Sequence, residues 1–270
     1  MPENGRILID DLEGTPYAAR APGGQPAPPP GQPFTSERED WLKRYNVSPM
    51  PVVFGENEDP HSLNYMRLDL DETPGTILHY WFAWSADRPA SLGSRMSLWF
   101  GGGFELDRII ANRFITVVAR LASGDAHRWA AVGPQERLAA IIALDQFTRS
   151  IFRSMPYAFE NDPLALQLAK DALAAREDRL LKPVERWFLY LPLEHSEVME
   201  DQHVCVAKFT ELLAQAPAEA RAHFVSALDY AERHAAVIEE FGRFPHRNAA
   251  LGRTSTPAEI AFLKKPGSRF

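Results

Sequence analysis

Proline is the strongest constraint on what this chain can fold into. Twelve of its 22 prolines fall within residues 1–75, and Pro26, Pro28, Pro29, Pro30 and Pro33 crowd one short stretch. Each removes a backbone donor and disfavours helix in the residue before it. Residues 1–35 therefore read as an extended N-terminal arm. Residues 36–75 carry Trp41, Leu42, Tyr45, Val52, Val53, Phe54, Tyr65 and Met66, too apolar for a wholly solvated tail. The Pro-rich segment 1–75 is thus expected to pack in part on the main domain, with a short helix near Glu37–Tyr45. Residues 76–270 are expected to form that domain.

Composition sets outer bounds. A chain of 270 residues with 45% hydrophobic content can bury a sizeable core. A net charge of −7 argues against a large surface for nucleic acid or anionic membrane, so neither partner is expected. A local basic pocket stays compatible with that charge. The single cysteine, Cys205, excludes an internal disulfide and fits a reducing compartment. The N-terminal stretch MPENGRILIDDLEG lacks the basic and apolar regions of a secretory signal. No apolar run approaches the roughly 20 residues that span a bilayer. A cytoplasmic location is the resulting expectation.

From Thr76 the pattern is that of amphipathic helices with good caps. Leu106, Ile109, Ile110, Phe114, Val117, Val118 and Leu121 recur at helical spacing and stop before Gly124. Pro134 suits a first helical position, and the apolar run that follows reaches about Phe152. Asp162 and Pro163 open another helix as cap and first residue. Pro183 opens Val184–Leu191, which Pro192 is expected to end. Val198, Cys205, Val206, Phe209, Leu212 and Leu213 mark the next helix, and Phe224, Leu228, Ala231, Ala235 and Ile238 another, closed by Gly242. Thr256-Pro257-Ala258-Glu259 fits a capping box at a last short helix. Strand signals are scarce, and the short links favour antiparallel helix pairs, so the fold class is all-α.

The segment Leu138–Arg153 is the most informative. On a helical wheel Leu138, Ile141, Ile142 and Phe152 share a face, with Asp145 and Arg149 in its middle. Leu144, Phe147 and Ile151 cover much of the other side, so the helix is expected to be buried nearly all round. An acid and a base four apart can meet directly. Two readings stay open: a buried ion pair that fixes packing, or a pair that lines a ligand cavity. Buried charge needs compensation, so further polar partners should converge there.

Two segments could supply them. Glu194-His195-Ser196-Glu197 follows Pro192 and is placed at a helix start; His195 could transfer protons, with Glu197 orienting it. Helix capping by Ser196 and Glu197 is the alternative. Phe241–Asn248 concentrates Arg243, His246, Arg247 and Asn248, and continues to Arg253. Arginine forks recognise carboxylate or phosphate, and with Arg149 and Arg153 the tally points to a small anionic ligand. The competing reading has these arginines capping helix carbonyls and pairing with surface acids.

Other signals carry less. Glu200-x-x-His203 has no second copy within the helical pattern beyond Thr76, so no metal site is expected, and no cofactor motif stands out. Gly101-Gly102-Gly103 lacks the ending of a phosphate loop and reads as a flexible link. Cys205 falls in register with core residues. Trp81, Trp84, Trp99, Trp129 and Trp187 read as packing residues.

Tyr80-Trp81-Phe82, Leu98-Trp99-Phe100-Gly101, Leu144-Asp145-Gln146-Phe147-Thr148-Arg149, Leu191–Glu197 and Phe241–Asn248, in that order, resemble a bacterial family described as domain of unknown function 924. The resemblance runs from about Thr76 to Leu263. It implies an all-α superhelix similar to tetratricopeptide-repeat proteins, and it implies no particular reaction. Two functions follow. The first is a polar pocket for a small anionic molecule, with acid/base chemistry by Asp145, His195 and Glu197 and anion binding by Arg149, Arg153, Arg243, His246, Arg247 and Asn248. The second is a non-catalytic scaffold for a protein or peptide partner. A further idea is that the N-terminal arm itself occupies the pocket.

Overall fold

The structure, a computed structural model, describes residues 72–83 and 85–268. The arm up to residue 71, the short helix expected near Glu37–Tyr45, and Trp84 lie outside these residues. Every regular element among the described residues is helical, and none is a strand. The chain divides into two compact units. The first takes in Met96–Leu164 and the described residues up to Trp81; the second takes in Phe82–Arg95 and Ala165–Phe270.

The first unit contains all but the last residue of α1 (Pro74–Phe82), a wide π-type turn (Ser97–Gly101), α2 (Phe104–Arg120), α3 (Ala126–Ala130) and α4 (Pro134–Ile141). A second π-type stretch (Ile142–Phe147) leads into α5 (Thr148–Ile151), and α6 (Asp162–Ala174) begins at its end. The glycines before α2 are a conformational requirement rather than a flexible link. Gly102 and Gly103 have φ of 61° and 124°, values that side-chain-bearing residues rarely adopt. A Cβ on Gly102 would also lie 3.3 Å from an Arg153 guanidinium nitrogen. Glu105 and Asp107 then sit at the positive end of α2.

Leu138, Ala139, Ala140, Ile141, Ile142, Ala143 and Leu144 are all 0% exposed, so this helix is surrounded on every side, as its sequence predicts. Its core partners are aromatic. Phe114 and Phe147 stack at 4.3 Å between centroids, and Trp81 meets Phe147 edge-on at 5.5 Å. Trp99 ties in by donating its indole N–H to the Trp81 carbonyl at 3.0 Å. Removing a ring of this kind costs about 3–5 kcal/mol, because the cavity adds to the lost transfer energy.

The second unit contains the rest of α6, then α7 (Pro183–Glu194), α8 (Met199–Ala214), α9 (Arg221–Phe241) and α10 (Pro257–Phe262). Helix α8 packs against both α7 and α9. Trp187 contacts the rings of Phe209 and Phe224 at 6.5 and 5.6 Å, and Cys205 is fully buried beside them in the core. Burial pushes the Cys205 thiol well up, which suits a packing residue rather than a nucleophile.

Pro192 does not end α7. The helix continues to Glu194 with the proline inside its last turn. The ring removes one donor there, and the ladder resumes when His195 N–H bonds the Leu191 carbonyl at 2.9 Å. The other ends follow their sequence signals. Pro183 opens α7 with Glu185 accepting the Lys182 N–H at 2.8 Å. Gly242 closes α9 at φ 67°. Thr256 and Glu259 form the reciprocal capping box of α10 at 3.2 and 2.6 Å.

Candidate functional site

The proposed site residues belong to both units, and each group is described within its own. In the first unit, Asp145 lies in the π-type stretch and is 1% exposed. Gln146 donates to its carboxylate at 2.6 Å, and Arg149 lies 3.5 Å away. Arg149 has closer partners. Its guanidinium meets Asp162 at 2.8 Å, donates to the Ala158 carbonyl, and covers the Phe159 ring at 4.8 Å. It therefore fastens the loop 158–162 to the helix that carries it. Arg153 forms a two-pronged pair with Asp107 at 2.6 and 2.7 Å. That hydrogen bonding raises the guanidinium pKa, against the effect of burial. Sequence reasoning did not single out Asp107, because 46 positions separate it from Arg153. Within the pinned loop, burial pushes the Glu160 carboxyl up to about 7.

In the second unit, His195 is the residue that closes α7, rather than one that starts α8. Its side chain is partly exposed. Ser196 accepts the Val198 N–H at 3.2 Å and donates to Asp201 at 2.7 Å, so the turn between the helices is internally bonded. Glu197 pairs with Arg253 through two bonds of 2.7 and 2.9 Å and accepts the Phe244 N–H at 2.8 Å. Burial alone would raise the Glu197 pKa. Arg253 and the Phe244 N–H outweigh that and hold it below the ordinary range. Glu197 is thus matched to Arg253 and the loop.

Arg243 makes a similar two-pronged pair with Glu259 at 2.6 and 2.9 Å and donates to the Thr254 carbonyl at 3.0 Å. The Arg243 contact and the Thr256 N–H hold the Glu259 carboxyl down at about 2. Asn248 is 1% exposed and donates to Ser255 Oγ at 3.0 Å, while its carbonyl accepts the Arg253 N–H at 2.8 Å. Arg247 is buried with its guanidinium over the Phe244 ring at 4.8 Å, and the His246 ring lies 5.6 Å from the same phenyl group.

One member of this group was missed in the sequence. His234 is 4% exposed, its ring 5.4 Å from Phe244 and 6.3 Å from His195. Its Nδ1 faces the Tyr230 carbonyl at 2.8 Å, and a carbonyl only accepts, so Nδ1 carries the hydrogen. Glu194 Oε1 stands 3.4 Å from the same nitrogen. Burial is the largest effect on His234 and the Tyr230 carbonyl opposes it. His195, His246 and Arg247 add to burial, and the pKa falls to about 3. The ring is neutral at ordinary pH. The signal was available: His234 is three residues after Ala231 and four before Ile238, on the apolar stripe of α9.

Among the described residues no group of three or more His, Cys, Asp or Glu is arranged to hold a metal ion. No described helix is long and apolar enough to cross a membrane. Among the described residues these features define an all-helical fold with histidine and arginine side chains gathered on one buried phenylalanine. The profile of the family described as "Bacterial protein of unknown function (DUF924)" matches residues 77–267, and the chain belongs to that family. A solved structure of a protein of unknown function from Agrobacterium tumefaciens is similar to it, with 29% identity and a TM-score of 0.58. The likeness covers 71% of this chain and 96% of the other. No curated protein matches the chain.

Proposed function

We propose that the second unit binds a small oxyanion, a carboxylate or a phosphate, through His195, His246 and Arg247. One observation carries this reading: the His195 ring lies 6.3 Å from the His234 ring, and the His246 ring and the Arg247 guanidinium lie on the Phe244 phenyl group that His234 also meets, so three groups able to bind an anion gather in one region. A bound anion would favour the charged form of an imidazole beside it. Arg243 and Arg253 serve the fold of the second unit, each in two-pronged contact with a carboxylate, Arg243 with Glu259 and Arg253 with Glu197. By the same argument Arg149 and Arg153, with Asp145, Asp162 and Asp107, serve the fold of the first unit. Asn248 holds the loop through Ser255.

Proton transfer in such a site falls to His195 or His246. Burial keeps His234 neutral, and Arg253 keeps Glu197 ionised. The framework of this proposal is the antiparallel, tetratricopeptide-like array that the family resemblance implies.

Thermal unfolding with phosphate, malonate or citrate at constant ionic strength tests the reading. A ligand at 100 times its Kd stabilises by about 2.7 kcal/mol, a readable shift. The expected result is a shift with one of these anions that His195→Asn, His246→Asn and Arg247→Gln each weaken. No shift with any of the three anions sinks the proposal, as does a shift that all three variants keep. Peptide retention without an anion response would favour the scaffold instead.

A further inference from the structure

The turn that carries His195 is fastened by one side chain from the next helix. Gln202, on α8, is 0% exposed. Its amide nitrogen donates to the Ser196 carbonyl at 2.7 Å and the Glu194 carbonyl at 2.8 Å, and reaches the Leu193 carbonyl at 3.3 Å. Those carbonyls flank His195 on both sides. The end of a helix leaves its last carbonyls without partners, and here one carboxamide serves three of them. An amide has two N–H groups, so the two short contacts are the primary ones and the Leu193 contact is shared.

The rest of the turn is held from the same side. Asp201, in the first turn of α8, accepts from Ser196 Oγ at 2.7 Å and pairs with Lys170 at 2.7 Å. The backbone around His195 is therefore fixed, while its ring stands partly exposed at the edge of the His234–Phe244 group. Few side chains can do what Gln202 does. A glutamate would set negative charge against three carbonyls, a lysine or arginine would bury a charge, and an asparagine is one methylene shorter.

The other end of the amide argues against a purely packing role. Gln202 Oε1 is buried and has no hydrogen-bond partner among the described residues. An unsatisfied buried acceptor costs about 1–3 kcal/mol, a cost that the amide's bonds to the turn carbonyls must offset. The donor end is what the position retains.

We propose that Gln202 is the positioning residue of the oxyanion site, holding the α7–α8 turn so that the His195 imidazole faces the ligand. This rests on the reading of His195 given above, and the experiment separates the two. Gln202→Met keeps the volume and removes the donor. In the full-length chain the variant should keep one cooperative melt. The titration midpoint of His195, read by imidazole NMR, should move by roughly half a pH unit or more as its surroundings change. The imidazoles of His127 and His223 should titrate as before. The Kd for phosphate or malonate, whichever shifts the wild type, should rise by about tenfold, the equivalent of one lost hydrogen bond.

A folded Gln202→Met protein with an unmoved His195 titration overturns the proposal. Should that variant not fold, the wild type decides. The Gln202 carboxamide protons should exchange with solvent far more slowly than those of the exposed Gln167 and Gln215, and equal rates overturn the proposal. Absence of any anion response in the wild type, together with a shifted His195 titration, removes the oxyanion reading and leaves Gln202 as the holder of His195.

Discussion

His234 illustrates how a single buried group ties stability to pH. Its folded pKa of about 3 lies below the ordinary 6.5. Between these values the unfolded chain binds a proton that the folded chain refuses. Stability from this residue is therefore complete above pH 6.5 and is lost as pH falls toward 3, at up to ~1.4 kcal/mol per pH unit. Urea melts at pH 7, 5 and 4 should show this decline, flattened in His234→Gln; equal slopes in the two proteins would remove His234 as its source. Glu160 has the opposite sign. Burial raises its pKa from 4.5 to about 7, so the folded chain keeps a proton that the unfolded chain gives up. That stability is present below pH 4.5 and is lost as pH rises through 7. Glu160→Gln should accordingly resist urea better than wild type at pH 8 and equally at pH 4, and a uniform effect across pH would point to another cause.

At the level of elements, caps and packed rings do most to set the helices in place. Thr256→Ala removes the side-chain half of the α10 capping box and should cost about 1 kcal/mol in a denaturant melt. A change below a few tenths would mean that Arg243–Glu259 holds the segment without the cap. Phe147→Ala opens a cavity against Phe114, Tyr80 and Trp81, with an expected loss of about 3–5 kcal/mol. Much at this scale is legible in the sequence. The start of α7 at Pro183, the end of α9 at Gly242 and the buried run Leu138–Leu144 follow from caps and periodicity. The exceptions have local causes. Proline in the last turn of α7 gives up only one bond, and the wide turn at Ile142–Phe147 departs from the 100° spacing that a helical wheel assumes.

For the whole molecule, the decisive measurement is where a bound anion leaves its footprint. Amide exchange of the full chain with and without saturating phosphate should show protection at the α7–α8 turn and at residues 244–248. Protection around Asp145 and Arg149 instead would move the site to the first unit and return those residues to the ligand. Of the three sequence segments, the one that carries Asp145 and Arg149 belongs to the first unit, and the two that carry His195 and Arg243 belong to the second.

The sequence by itself determined that residues beyond Thr76 build helices, where most of those helices start and stop, and that the Asp145 helix is buried. These are consequences of neighbours a few positions apart: caps, prolines and apolar spacing act locally. Only the tertiary structure decided the partners. Arg153 finds Asp107 across 46 positions and Glu197 finds Arg253 across 56, and no local pattern marks either pair. An ion pair or a buried amide is chosen by distance and burial in space, so the place of His234 beside His195, and of Gln202 beneath it, emerges only once α7, α8 and α9 are packed.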